Sequence, residues 1–451
     1  MLVYAHGIGG AKDLPVPPEY AIACASAALA VSFIVLALAW RTPRYDAATQ
    51  GRPLPARLDA VVGSAGFAAT VRGIGLAFAA YVTWAAVAGP DLLINPVFGV
   101  AYVWLWVGLV PASLLVGPFY RAVNPVRTLH LGLSRALGQH PDQGLVALPR
   151  WVGYWPAALG LLAFVWMELV LPHGTYLTPL RAWFAGYVAI GLVGAAVFGA
   201  RWFAAFDPFE VYSTLVGHLS VFGRRTGPYP DDQHQPQGDG RLVVRSPLAN
   251  LDGVPVRPGL VAVVAVLFGS TAFDSFKDSN TWLAFVQGAG WNSEVLNTAA
   301  LLGFCLAVGV TFTAATMATR VSDGLPRWTL PDRFAHAVVP IIVGYITAHY
   351  LSYFVEVGQQ TLVLLSDPMG TGANLLGTGN LTVSYWLSTH PTELAVIKVL
   401  AVVTGHVLGV IASHDRAIRL LPRPDQLTGQ LPLLMVMVVY TATGLYLLFG
   451  A

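Results

Sequence analysis

Residues 335–360 read AHAVVPIIVGYITAHYLSYFVEVGQQ, an apolar stretch long enough to cross a bilayer that still carries a ladder of polar groups. Tyr345, His349, Ser352, Glu356 and Gln359 or Gln360 recur at spacings of four, three, four and three or four. At about 100° per residue they fall in one narrow wedge of a helix, and Ile341, Val343, Ile346, Leu351 and Val355 cover the rest. An ionisable group in hydrocarbon costs several kcal/mol unless it faces a cavity or a partner. The ladder is therefore expected to line something wet, charged or metal-bound, and it begins only halfway along the helix.

The remainder of the chain agrees with a membrane setting. Of its 451 residues 55% are hydrophobic and 11% charged, whereas a soluble domain carries about 25% charge. Spans of roughly 20 apolar residues are read at 20–40, 72–89, 97–116, 151–171, 179–199, 258–275, 295–317, 334–357, 394–413 and 431–449. The expected fold is all-α, a single polytopic transmembrane helix bundle of about ten spans. A closed barrel would need alternating segments of about ten residues, and the sequence has none.

Basic residues set the expected orientation. Of 25 Lys and Arg, 20 fall on the connections after spans one, three, five, seven and nine, and Arg72 opens the second span beside the first of them. Those connections are expected in the cytoplasm, and both termini outside, in a multi-pass protein of the cytoplasmic membrane. The lipid bilayer is the one partner this reading requires. A net charge of +2 offers nothing to a nucleic acid, because the positive charge is topological. The N-terminal stretch MLVYAHGIGGAKDLPVPPE lacks a basic region ahead of an apolar core, so the first span is expected to stay as a transmembrane helix rather than be cleaved. Cys24 and Cys305 lie inside spans and are read as small hydrophobes.

An internal repeat aligns residues 107–125 (VGLVPASLLVGPFYRAVNP) with 190–208 (IGLVGAAVFGARWFAAFDP) at a constant offset of 83. Both copies are read as cytoplasmic ends of spans, followed by Asn124-Pro125 or Asp207-Pro208, a helix-start signal in which the side chain caps and Pro takes the first helical position. Two explanations stay open: duplication of a two-helix unit, and shared capping chemistry. Residues 223–257 are Pro/Gly-rich and polar, so a flexible cytoplasmic loop is expected, with His234 solvated. The outer loop 367–393 is Gly/Thr/Asn-rich and could cover the mouth of a cavity.

Companions for the ladder come from the sixth span, which ends FGSTAFDSFKDSN and places Ser270, Asp274 and Asp278 on one helix face. At 1.5 Å per residue Asp274 and His349 share a depth roughly 20–25 Å above the cytoplasmic end. Glu168, closing the fourth span, reaches the same zone, and His6 and His173 could fold over it. One His with carboxylates suits a divalent metal or a general acid/base pair. Asp274, His349 and Glu356 are the candidates for either role, with Tyr345, Ser352, Gln359, Ser270, Asp278 and Glu168 lining the pocket. Interhelical hydrogen bonding accounts for Tyr345 and Ser352 without any site. His336 and His414 share the cytoplasmic edge and could clamp one haem, although His414, Asp415 and Arg416 read more as an interfacial cluster closing the helix, while His406 lies mid-membrane and is read as neutral and hydrogen-bonded.

Several pieces together resemble a family of bacterial polytopic membrane proteins labelled fenitrothion hydrolase. They are AHGIGGAKDLPVP (5–17), WRTPR (40–44), NPVRTL (124–129), DPFEVYS (207–213), STAFDS (270–275), AHYLSY (348–353) and GHVLGVIASHDRA (405–417). The resemblance implies hydrolysis of an organophosphate ester by attack of an activated water on phosphorus, and assigns no catalytic residues. Three readings follow: a membrane-embedded hydrolase acting on a small-molecule substrate, a transporter or permease, and a non-catalytic component such as a metalloprotein assembly factor.

Overall fold

The computed structural model describes residues 11–225, 239–319 and 325–450. Among them nine helices are long and apolar enough to cross a membrane. A bent pair, Pro96–Leu105 with Leu109–Val116 at 48°, makes a tenth if counted as one span. The chain is a multi-pass helical bundle, and each expected span falls on one of these helices.

In chain order the helices that matter here are α1 (Pro18–Ala39), α2 (Ala65–Ala88), a π-helical turn (Gly99–Leu105) running into α3 (Leu109–Val116), and α4 (Pro125–Ala136). Then come α5 (Trp155–Leu169), α6 (Leu177–Phe198), α7 (Pro208–Gly217), α8 (Leu260–Lys277) and α9 (Ser293–Met317). The ladder helix is α10 (Val339–Ser352), a second π-helical turn (Tyr353–Val357) and α11 (Gly358–Leu364), followed by α12 (Pro391–Leu420) and α13 (Leu431–Phe449). Starts are chemically marked: Ser64 caps α2 through Phe67 N–H, and Asn292 caps α9 through Glu294 and Val295 N–H. Phe67, Ile74, Phe78, Trp84 and Val87 leave α2 apolar and exposed, as a lipid-facing helix must be.

Buried packing follows small residues. Gly405 and Gly409, one turn apart on α12, lie against the Pro340 and Ala337 carbonyls at the start of α10. A Cβ at either would stand 2.5–2.7 Å from those oxygens, so glycine sets the approach. α5 and α8 run parallel. Tyr154 N–H donates to the Pro258 carbonyl at 2.7 Å where both begin, and Glu168 and Lys277 meet at one cavity where both end.

The repeat is placed differently from its sequence reading. Neither [N/D]-P turn sits at the end of a span. Tyr187, which donates to Asp207 Oδ2 at 2.5 Å, is the eleventh of the 22 residues of α6, about 16 Å from its end. Gly160, midway along the Arg150–Leu169 span, packs on Pro208. Gly75, in the middle of α2, lies against the Val123 carbonyl. The chain thus turns back into the bundle, and α4 and α7 start at mid-height.

There the two copies bond each other at equivalent positions. Asn124 Nδ2 donates to Asp207 Oδ2 at 2.7 Å. Arg127 grips Glu210 through two bonds of 2.7 and 3.0 Å. Both pairs carry the 83-residue offset of the repeat. Each cap also works locally: Asn124 Oδ1 accepts from Val126 and Arg127 N–H, and Asp207 Oδ1 from Phe209 and Glu210 N–H.

The 223–257 segment also departs from expectation. Residues 226–238, with His234, lie outside the described residues. Their flanks are ordered, as β2 (Phe222–Arg224) and β3 (Leu242–Val244) pair antiparallel, and β3 also pairs with β1 (Arg52–Pro53). Asn250 is buried, and its Nδ2 donates to the Ser220 and Phe222 carbonyls.

Candidate functional site

Asp274 is the centre of the candidate site. It is buried near the end of α8, and Oδ2 accepts from His349 Nε2 at 2.9 Å and from the Tyr350 hydroxyl at 2.7 Å. Oδ1 pairs with Lys277 Nζ at 3.1 Å, one helical turn on. The expected Asp274–His349 meeting is therefore present, with two partners that sequence reading passed over. Lys277 is one of the four basic residues outside the pattern that sets the orientation, and Tyr350 was assigned no role. The i,i+3 spacing of Asp274 and Lys277 was the available signal.

The other face of the His349 ring is wired to the same helix. Ser275 Oγ lies 3.1 Å from Nδ1, accepts from the Tyr345 hydroxyl at 3.0 Å, and donates to the Thr271 carbonyl at 3.1 Å.

Beyond Ser352 the ladder does not continue as predicted. Glu356 is buried but turns to loop 367–393, where its Oε1 accepts from Ser388 N–H at 2.9 Å and both oxygens lie 2.6 Å from Ser388 Oγ. Gln359 likewise exchanges bonds with Ser384. The cause is the π-helical turn at Tyr353–Val357, which holds an extra residue and advances the register. The cavity side of the helix becomes Tyr353, Val357, Gln360 and Thr361 in place of Ser352, Glu356 and Gln359.

Those residues close a cavity of about 190 Å³ at the end of the bundle where α5 and α8 finish. Its charged lining is Glu168, Asp274, Lys277 and Asp278. Tyr102, from the first π-helical turn, lines the cavity with Tyr353 and donates its hydroxyl to the Gly174 carbonyl at 2.7 Å. The two π-helical turns touch each other, so each irregular stretch of backbone lies against the cavity, where such stretches recur in functional proteins. Glu168 Oε2 is buried with no hydrogen-bond partner among the described residues.

The remaining candidates lie elsewhere. Ser270 is buried a turn deeper in α8 and is not part of the cavity lining, and Ser352 is buried without reaching it. His173 is exposed and packs edge-on to Tyr176, while His6 lies outside the described residues. Asp274, His349 and Glu356 do not converge on one point, and among the described residues no group of three or more His, Cys, Asp and Glu is placed to hold a metal ion.

Nor do His336 and His414 clamp a haem. His414 spends Nδ1 on Gln430 and Nε2 on the Trp40 carbonyl, each at 3.0 Å, and His336 Nδ1 is bonded to the Arg333 carbonyl. His406 donates Nδ1–H to the Val402 carbonyl at 2.8 Å. Loop 367–393 contributes nothing to the cavity lining. It is ordered in its own right: Thr371 and Gly372 N–H groups donate to Asp367 and hold its carboxyl below the usual range.

The chain matches no family model, no curated protein and no solved structure.

Proposed function

We propose that this chain is a membrane carrier whose solute site is the cavity between α5, α8 and the two π-helical turns. The observation that carries the reading is the pairing of a cavity that holds four charged side chains with two interrupted helices that line it. Secondary carriers place solutes at broken helices, often in folds built from repeats, and the equivalent residues Asn124 and Asp207 bonded at mid-height fit such an architecture. The distribution of Lys and Arg supports an outward-facing cavity and termini, in the cytoplasmic membrane.

A carrier must expose its site to both sides in turn. In a variant without Cys24 and Cys305, Gln360→Cys is expected to react with a membrane-impermeant thiol reagent added to either face of sealed vesicles. Labelling from a single face under all conditions would overturn the carrier reading.

One arrangement favours a hydrolase instead: Ser275, His349 and Asp274 form a hydrogen-bonded chain in the order nucleophile, base and orienting acid. Two facts weigh against it. The Ser275 hydroxyl donates to the Thr271 carbonyl, and Ser275 does not line the cavity. Purified protein incubated with fenitrothion is expected to release no 3-methyl-4-nitrophenol above the buffer rate. Release that depends on the protein and is lost in Asp274→Asn would establish the hydrolase reading.

A further inference from the structure

We propose that the cavity binds a small organic ammonium ion, its charge met by Glu168 and Asp278 and its hydrocarbon part by the aromatic and aliphatic wall. The inference rests on reading the cavity as a solute site, and it names the class of solute.

Charge is the first argument. Three carboxylates, Glu168, Asp274 and Asp278, line the cavity together with one ammonium, Lys277. Asp274 is already engaged by Lys277, His349 and Tyr350. Glu168 is not, since its Oε2 is buried and has no hydrogen-bond partner among the described residues. A buried carboxylate oxygen without a donor is costly, and a ligand that brings a cationic N–H removes that cost with a charge-assisted hydrogen bond.

The wall then separates an organic cation from an inorganic one. A bare divalent ion wants about six oxygen ligands, but much of this lining is Phe98, Leu169, Val357 and Leu364. Tyr102 and Tyr353 add two aromatic rings, which attract ammonium groups through their faces. A volume of about 190 Å³ holds a molecule of several carbon atoms and is far larger than a desolvated ion. Free amines and the ammonium headgroup of phosphatidylethanolamine share this chemistry.

The test is a thermal-unfolding titration of the full chain in phosphatidylglycerol nanodiscs, which contain no lipid ammonium. At matched ionic strength n-butylammonium is expected to raise the Tm saturably, and n-butanol and Na⁺ are not. Glu168→Gln is nearly isosteric and removes no existing bond of Oε2, so the unliganded Tm is expected to hold while the half-saturating concentration rises about tenfold or more. Asp278→Asn, an independent variant, is expected to weaken binding about threefold or more. A Tm rise lost on adding phosphatidylethanolamine assigns the ammonium to the lipid, and a rise retained assigns it to a free amine. The proposal fails if butanol or Na⁺ stabilises equally, if butylammonium does not stabilise, or if both variants keep the wild-type half-saturation. Two-face labelling of Gln360→Cys is independent of these outcomes, so loss of the ammonium assignment and loss of the carrier reading are separable.

Discussion

Asp274→Ala is expected to destabilise the protein by about 3–5 kcal/mol, the usual cost of leaving one member of a buried ion pair without its partner. The carboxylate is the common acceptor for Lys277, His349 and Tyr350, so its removal strands a cation and two donors together. Unfolding in mixed micelles by SDS titration, with loss of helical signal as the readout, measures the effect. Asp274→Asn keeps an acceptor for Tyr350 but cannot neutralise Lys277, and it should fall between alanine and wild type. Adding Lys277→Met to Asp274→Ala should recover part of the loss, because removing both charges costs less than stranding one. A loss of less than about 1 kcal/mol in Asp274→Ala would show that the cluster is solvated and that Asp274 does not organise it.

The second large effect is expected at the joint between the repeat copies. Asn124→Asp keeps the capping oxygen for α4 but replaces the Nδ2 donor to Asp207 with a second carboxylate. Asn124, Asp207 and Glu210 are all at most 2% exposed, so the like charges face each other with little screening, and a loss of about 3 kcal/mol is expected. Combining it with Asp207→Asn exchanges the two side-chain types across the joint and restores one donor and one carboxylate. The double variant should be more stable than Asn124→Asp alone, with a coupling energy of about 2 kcal/mol from a double-mutant cycle. Additive losses would mean that the two caps act separately and that the contact between them is incidental. Tyr187 gives the experiment an internal control. Its hydroxyl donates to Asp207 Oδ2, so Tyr187→Phe should weaken the wild type and Asn124→Asp alike, and should cost less wherever Asp207→Asn has already replaced that acceptor.

The two halves of the ladder show how far periodicity reaches. Tyr345 and His349 precede the π-helical turn, and both meet α8, through Ser275 and Asp274. Glu356 and Gln359 lie within or after it and were expected to face the same way, but they bind Ser388 and Ser384. The apolar spacing of YFVEV gives no sign of a π-helical turn, which packing against the second interrupted helix accompanies. Glu168 was legible as an acid closing a span, but its unpartnered oxygen was not, because that depends on what fails to approach it.

Sequence by itself determined the class of the protein and the positions of its spans, since about twenty apolar residues in a row have few other stable fates. It also determined the starts of α4 and α7, because Asn-Pro and Asp-Pro carry their own cap and fixed φ. Tertiary structure decided at what height those starts lie and which residues face the cavity. Capping chemistry is the same at a membrane surface and at mid-height, so only the contacts with Tyr187, Gly160 and Gly75 distinguish the two. A helix face is likewise fixed by local periodicity only until the winding changes. After the turn at Tyr353–Val357, the partner helices decide which side chains line the cavity.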